Sequence, residues 1–157
     1  MKPLPQPFGE VHAVKCELAA DVLRSSGTLR LQVRGWSMLP AVWPGDTLVI
    51  ERVESDCVSK GDLVLFSRDR RLFVHRVVTR DVESSSVLTQ GDAMPAPDHV
   101  IPDSELLGRV SLIVRNGKRI APRRNQKFSE RAVSALVRRS EIAARVVVGV
   151  HGARQIS

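Results

Sequence analysis

The sequence predicts a mainly β protein: an antiparallel sheet or barrel, with one helix before it and a basic amphipathic helix after it. Three observations carry this expectation. The apolar spacing changes from helical to alternating at Thr28. Short β-rich runs then recur between Gly, Pro and Asp turn signals, as in antiparallel sheets and barrels. Helical spacing returns only near Ser129.

Each element has its own signature. Residues 1–9 carry three prolines and read as a loose arm. In residues 10–26, Val11, Val14, Leu18, Val22 and Leu23 recur at helical spacing and predict one apolar stripe. Gly27 is a plausible C-cap. Leu29, Leu31 and Val33 then alternate with Arg30, Gln32 and Arg34, which predicts a half-buried strand ended by Gly35. Pro40, Pro44 and Gly45 mark a turn region. Further strands are expected at 47–53, 63–66, 72–78, 87–89 and 107–114, with a hairpin turn at Asp69-Arg70-Arg71. Residues 115–127 read as a basic linker or exposed loop. From Ser129 onward a second helix is expected, with Val133, Leu136, Val137, Ala144, Val147 and Val148 on one face and Arg131, Arg138 and Arg145 on its flank. The organisation that follows is an arm (1–9), a β-rich domain with its N-terminal helix (10–114), and a basic linker and helix (115–157).

Composition narrows the class. A chain of 157 residues with 43% hydrophobic and 26% charged residues suits one domain with a sizeable core. No apolar run reaches the ~18–20 residues that span a bilayer, and residues 1–10 lack the apolar core of a secretory signal. The expectation is a cytoplasmic protein. Cys16 and Cys57 make no CxxC-type metal motif and are expected as free thiols. Neither metal nor cofactor is expected. The net charge of +7 is uneven: residues 1–114 hold 13 Lys+Arg against 15 Asp+Glu, and residues 115–157 hold 11 against 2. The body therefore gives no reason to expect nucleic-acid binding. The basic C-terminal helix is the one segment suited to peripheral contact with an anionic membrane.

Three kinds of residue could carry chemistry. Ser37 follows a strand between Gly35 and Pro40, where a bend can present its side chain. A serine nucleophile needs a base within hydrogen-bond reach and donors for the oxyanion. His75 is the odd residue in the apolar strand segment Leu72–Val78, and a neutral imidazole could accept the serine proton and return it to a leaving amine. Asp92 and Asp98, in Gln90-Gly91-Asp92-Ala93-Met94-Pro95-Ala96-Pro97-Asp98, are turn aspartates by default. Either could orient the imidazole as the third member of a triad.

Ordered along the chain, these pieces fit a known pattern. Gly35-Trp36-Ser37-Met38-Leu39-Pro40 is followed by Pro44-Gly45-Asp46. Lys60-Gly61-Asp62-Leu63-Val64, Val74-His75-Arg76-Val77, Gln90-Gly91-Asp92 with Asp98, and Leu107-Gly108-Arg109-Val110 come after it. Over about residues 28–114 the chain resembles the signal peptidase I / LexA-like superfamily of S24/S26-type serine peptidases. The resemblance implies a catalytic fold of coiled antiparallel β-sheets, with Ser37 as nucleophile. The base position, lysine in most bacterial members, falls on His75, as in the Ser-His branch. In that branch an aspartate six residues after the Gly-Asp aspartate is the usual partner. This favours Asp98 as the orienting acid and leaves Asp92 structural or supporting. Gly35, Trp36 and Met38 are the expected oxyanion and substrate-binding positions. Lys60 matches no base position and reads as a turn residue.

Two departures qualify the resemblance. Where many signal peptidases have a serine two positions before the nucleophile, this chain has Gly35, so backbone N–H groups, Ser37's own among them, would have to hold the oxyanion. No segment reads as the membrane anchor of typical signal peptidases, so none is expected. The implied activity is endoproteolysis of an extended peptide or preprotein after small residues, through an acyl-enzyme on Ser37. Two other readings remain open: a LexA-type regulator that cleaves itself, and a non-enzymatic module binding lipid or nucleic acid through its basic tail.

Overall fold

The structure is a computed structural model and describes residues 7–126 and 128–139. Helix α1 (Pro7–Ser26) leads into β1 (Thr28–Gln32) and β2 (Thr47–Glu51). Then come β3 (Leu63–Arg68), β4 (Arg71–Asp81), β5 (Ser86–Gln90), β6 (Ile101–Pro102), β7 (Leu106–Arg115) and β8 (Lys118–Ile120), followed by α2 (Phe128–Arg139). The expected mainly β architecture is what forms. One antiparallel sheet runs in the order β1-β2-β7-β3-β4-β5-β6, with β8 also paired to β7.

β7 is the shared element. It pairs with β3 near Leu106–Arg109, with β2 over Arg109–Val114, and with β8 at Ile113–Arg115. Register shifts at Val49/Ile50, Leu65/Phe66 and Val77/Thr79 interrupt the ladders. Such bulges bend strands and increase their twist.

The core lies on both faces of β3. Leu63 and Leu65 pack with Leu48, Ile50, Val110, Ile113 and α1's Leu23. Val64 and Phe66, on the opposite face, pack with Val58, Val77, Val87 and Ile101. Burial on both faces explains why this strand reads as an unbroken apolar run rather than as an alternation. A third, smaller cluster joins Leu39, Ala93 and Val137, with Trp36, Trp43 and Val133 against it.

Several boundaries differ from the sequence reading. α1 begins at Pro7, inside the expected arm. Proline suits a first helical turn because its missing N–H has no intrahelical partner there anyway. Gly27 closes the helix as expected, at φ +72° and with its N–H donating to the Leu23 carbonyl. Only the C-terminal end of the expected stripe is buried: Leu23 packs in the core and Val22 is half-buried. Val11, Val14 and Leu18 are exposed, while Ala19 and Leu23 are buried, flanked by half-buried Ala13, Cys16 and Ala20. Small side chains let the helix lie close to the sheet, which outweighs the larger apolar residues on its other side. Cys16 and Cys57 are free thiols.

The hairpin between β3 and β4 turns on Asp69 and Arg70 alone, both at positive φ, and Arg71 already belongs to β4. Residues 115–127 are not simply a linker. Asn116 and Gly117, at φ 49° and 73°, make a second two-residue turn that folds β8 back onto β7. Asn-Gly is the strongest short hairpin signal. Ala144, Val147, Val148 and Arg145 of the expected C-terminal helix lie outside the described residues. Among the described residues no helix is long and apolar enough to cross a membrane.

Candidate active site

Ser37 lies in the loop between β1 and β2, and the loop is tied down at its far end. Asp46 is buried and accepts a two-pronged ion pair from Arg115 of β7, with Nε–Oδ1 at 2.9 Å and Nη2–Oδ2 at 2.7 Å. The same carboxylate accepts the Trp43 N–H at 2.8 Å, and the Arg115 guanidinium lies 5.9 Å from the centre of the Trp43 ring. Within the loop, the Leu39 N–H donates to the Trp36 carbonyl and the Val42 N–H to the Met38 carbonyl. These turns leave Ser37 half-buried at the surface while Met38 and Leu39 are buried.

His75 comes from the middle of β4 and is only 5% exposed. The rings of Phe66 and Phe73 lie 5.8 and 6.0 Å from the imidazole and wall it on β3 and β4. Its Nε2 is 3.1 Å from the Ser37 hydroxyl and its Nδ1 is 2.7 Å from Asp98 Oδ2. An ionised carboxylate is only an acceptor, so the proton sits on Nδ1 and the Nε2 lone pair faces serine. That is the tautomer able to take a proton from the hydroxyl.

Asp98 is itself held by Thr89, a fully buried residue of β5. The Thr89 hydroxyl donates to Asp98 Oδ2 at 2.6 Å, and the Asp98 N–H donates to the Thr89 carbonyl at 2.8 Å. Burial pushes the Asp98 carboxyl up. Hydrogen bonds from His75 and Thr89, with the positive charge of Arg68, outweigh this and hold it below its ordinary value. A depressed folded-state pKa contributes stability above the unfolded carboxylate value, about 3.9. That contribution is lost as pH falls through the folded value. Urea midpoints of the wild type and Asp98→Asn, measured from pH 6 downward, should therefore converge below about pH 4.

Asp92 points elsewhere. It is buried and forms a two-pronged pair with Arg76, with Nε–Oδ1 at 2.8 Å and Nη2–Oδ2 at 2.7 Å. The structure thus brings Asp98, and not Asp92, to the imidazole. Gly91 explains why the Gly-Asp turn sits so close. A Cβ on it would lie 2.7 Å from the Ser37 carbonyl oxygen and 3.1 Å from His75 Nε2. Beyond it, the Ala93 N–H donates to the Ser37 carbonyl at 2.8 Å. Three Gly-Asp pairs in the chain share one use: Asp46, Asp62 and Asp92 are all buried and all paired with arginine.

Of the positions expected to serve the oxyanion and substrate, Gly35 is exposed, with open space where a side chain would project. The Trp36 ring packs with Leu39 and Ala93 in the third cluster, and the Met38 side chain is 4% exposed in the main core. One residue past Ser37 the chain turns inward, so only the backbone of Met38 stays beside the serine. Thr89, Gly91 and the two phenylalanines are site residues that sequence reasoning did not single out. Gly91 carried a signal, as the glycine of a turn beside a suspected aspartate; Thr89 carried none.

No curated protein matches the chain. A family model described as Peptidase S24-like matches residues 5–111, from the start of α1 into β7, and so takes in Ser37, His75, Thr89 and Asp98. With the antiparallel sheet and the order of motifs, that match decides the family: the chain belongs to the Peptidase S24-like family.

Proposed function

We propose that this chain is a serine endopeptidase of the signal-peptidase type. Ser37 is its nucleophile, His75 its general base and acid, and Asp98 the group that orients the imidazole. The observation that carries the reading is the continuous hydrogen-bond chain from Ser37 through His75 to Asp98, at 3.1 and 2.7 Å. His75 accepts the Ser37 proton as Oγ attacks the scissile carbonyl, and the imidazolium is stabilised by Asp98. The same proton then goes to the leaving amine, and water hydrolyses the acyl-enzyme in a second, mirror-image step. The substrate is an extended peptide that adds a strand at a sheet edge and is cut after a small residue. Asp92 supports the site through Arg76 and takes no proton.

The reading is tested by treating the protein with a fluorophosphonate and locating the adduct by mass spectrometry. Adduct on Ser37, lost in His75→Ala, supports it. Cleavage of an extended-peptide library by Ser37→Ala at the wild-type rate sinks it. Intact mass of the protein incubated alone separates peptide hydrolysis in trans from self-cleavage.

Gly35 offers a further check. Many enzymes of this type carry a serine hydroxyl two positions before the nucleophile, and the space at Gly35 is open. One oxyanion donor is worth about 10²–10³-fold in well-organised sites. Gly35→Ser should therefore raise kcat by about tenfold or more and leave the urea midpoint unchanged.

A further inference from the structure

The family match ends at residue 111, yet the chain beyond it reaches back to the site. Arg76, the residue after His75, directs Nε and Nη2 to Asp92 and Nη1 to main-chain carbonyls. Nη1 donates to Gly61 at 3.0 Å and to Arg124 at 3.2 Å, and also to Arg123. Arg124 in turn donates from Nε to Asp62 at 2.8 Å. The segment lies so close to the Gly61 turn that a Cβ on Gly61 would be 2.6 Å from the Arg124 carbonyl oxygen. Farther on, the buried Ser134 hydroxyl of α2 donates to the Leu39 carbonyl at 3.2 Å. Val137, 2% exposed, packs with Leu39 and Ala93.

These contacts converge on one place. Leu39 belongs to the loop that carries Ser37, and Ala93 to the turn that carries Gly91. A hydrogen bond from the Ala93 N–H to the Ser37 carbonyl joins loop to turn. α2 packs on both partners of that joint. We propose that residues 123–126 and α2 form an intramolecular brace, a positioning element that holds the Ser37 loop against the Gly91–Met94 turn. Ser134 and Val137 are its seating residues and Arg76 is its anchor. The inference rests on the reading of Ser37 as nucleophile. The brace itself, however, is testable without turnover.

The test uses Val137→Asp and Ser134→Ala in the full chain. Trp36 and Trp43, the only tryptophans, both pack in the Val137 cluster, so their emission reports whether α2 is seated. In Val137→Asp the emission should move to the red. Exchange of the Ala93 amide should quicken about tenfold or more, while β3 and β4 amides keep wild-type protection. Labelling of Ser37 by fluorophosphonate should slow by about the same factor. Ser134→Ala should shift each readout the same way by less. Unshifted emission overturns the proposal, as does wild-type Ala93 exchange in a protein whose emission has shifted. If Val137→Asp loosens β3 and β4 as well, Ser134→Ala decides by the same readouts. A wild-type protein that never labels at Ser37 overturns the peptidase reading, and Ala93 exchange still decides the brace.

Discussion

Ser37→Ala should abolish cleavage of extended peptides and leave the fold intact. In serine peptidases of unrelated fold, loss of the nucleophile or of the base alone costs about 10⁶-fold in kcat, because the two act as a unit. The structural cost is small. Ser37 is half-buried and its hydroxyl pairs with His75, so loss of the hydroxyl should change stability by no more than about 1 kcal/mol. His75→Ala should show the same catalytic loss with a different stability signature. The imidazole fills a buried place beside Phe66 and Phe73. Emptying it should cost about 2–4 kcal/mol, by analogy with other large-to-small core changes. Peptide cleavage and the urea midpoint, measured on both variants, check the pair of expectations. A Ser37→Ala protein that cleaves normally, or unfolds readily, contradicts them.

Asp98→Asn and Asp92→Asn should separate catalysis from stability. In Asp98→Asn the amide can donate to Nδ1, which places the imidazole proton on Nε2, facing serine. The base is then blocked, and a fall of about 10⁴-fold in kcat is expected by analogy with other triads. Asp92→Asn removes one half of a buried ion pair with Arg76, whose side chains are 3% and 13% exposed. An uncompensated buried guanidinium should cost about 3–5 kcal/mol. Activity per folded molecule should fall far less than in Asp98→Asn. Measuring kcat per active site beside the urea midpoint distinguishes the two. The reverse pattern, with stability lost at position 98 and catalysis lost at position 92, would exchange the roles given to the two aspartates.

The motifs that could be read in the sequence are those with local causes. Gly27 closes α1 where expected, and the expected hairpin after β3 forms, one residue tighter, on Asp69 and Arg70. The two-sided burial of Leu63–Phe66 left a continuous apolar run. The Asn116-Gly117 hairpin was equally local, but the basic residues around it outweighed the turn signal and hid β8. Of the stripe on α1, only Val22 and Leu23 turn toward the sheet. Spacing shows that a face is apolar, whereas which face packs depends on how closely a sheet can approach.

Ser37, His75 and the two aspartates were visible as candidates because their residue types and order are unusual for an ordinary β protein. Their pairing was not. Asp92 and Asp98 are both turn aspartates beside β5; spacing and residue type do not separate them, and only the family resemblance favoured Asp98. The choice depends on Arg76, one residue along β4 from His75, whose side chain takes Asp92 to the other face of the strand. It depends equally on Thr89, whose hydroxyl and carbonyl both hold Asp98. By itself the sequence determined six of the eight strands, much of the turn chemistry and the set of candidate groups, because these follow from spacing and backbone preference. Only the tertiary structure decided which groups meet and that the C-terminal segment packs behind them. Those contacts join residues far apart in the chain, and no local preference encodes them.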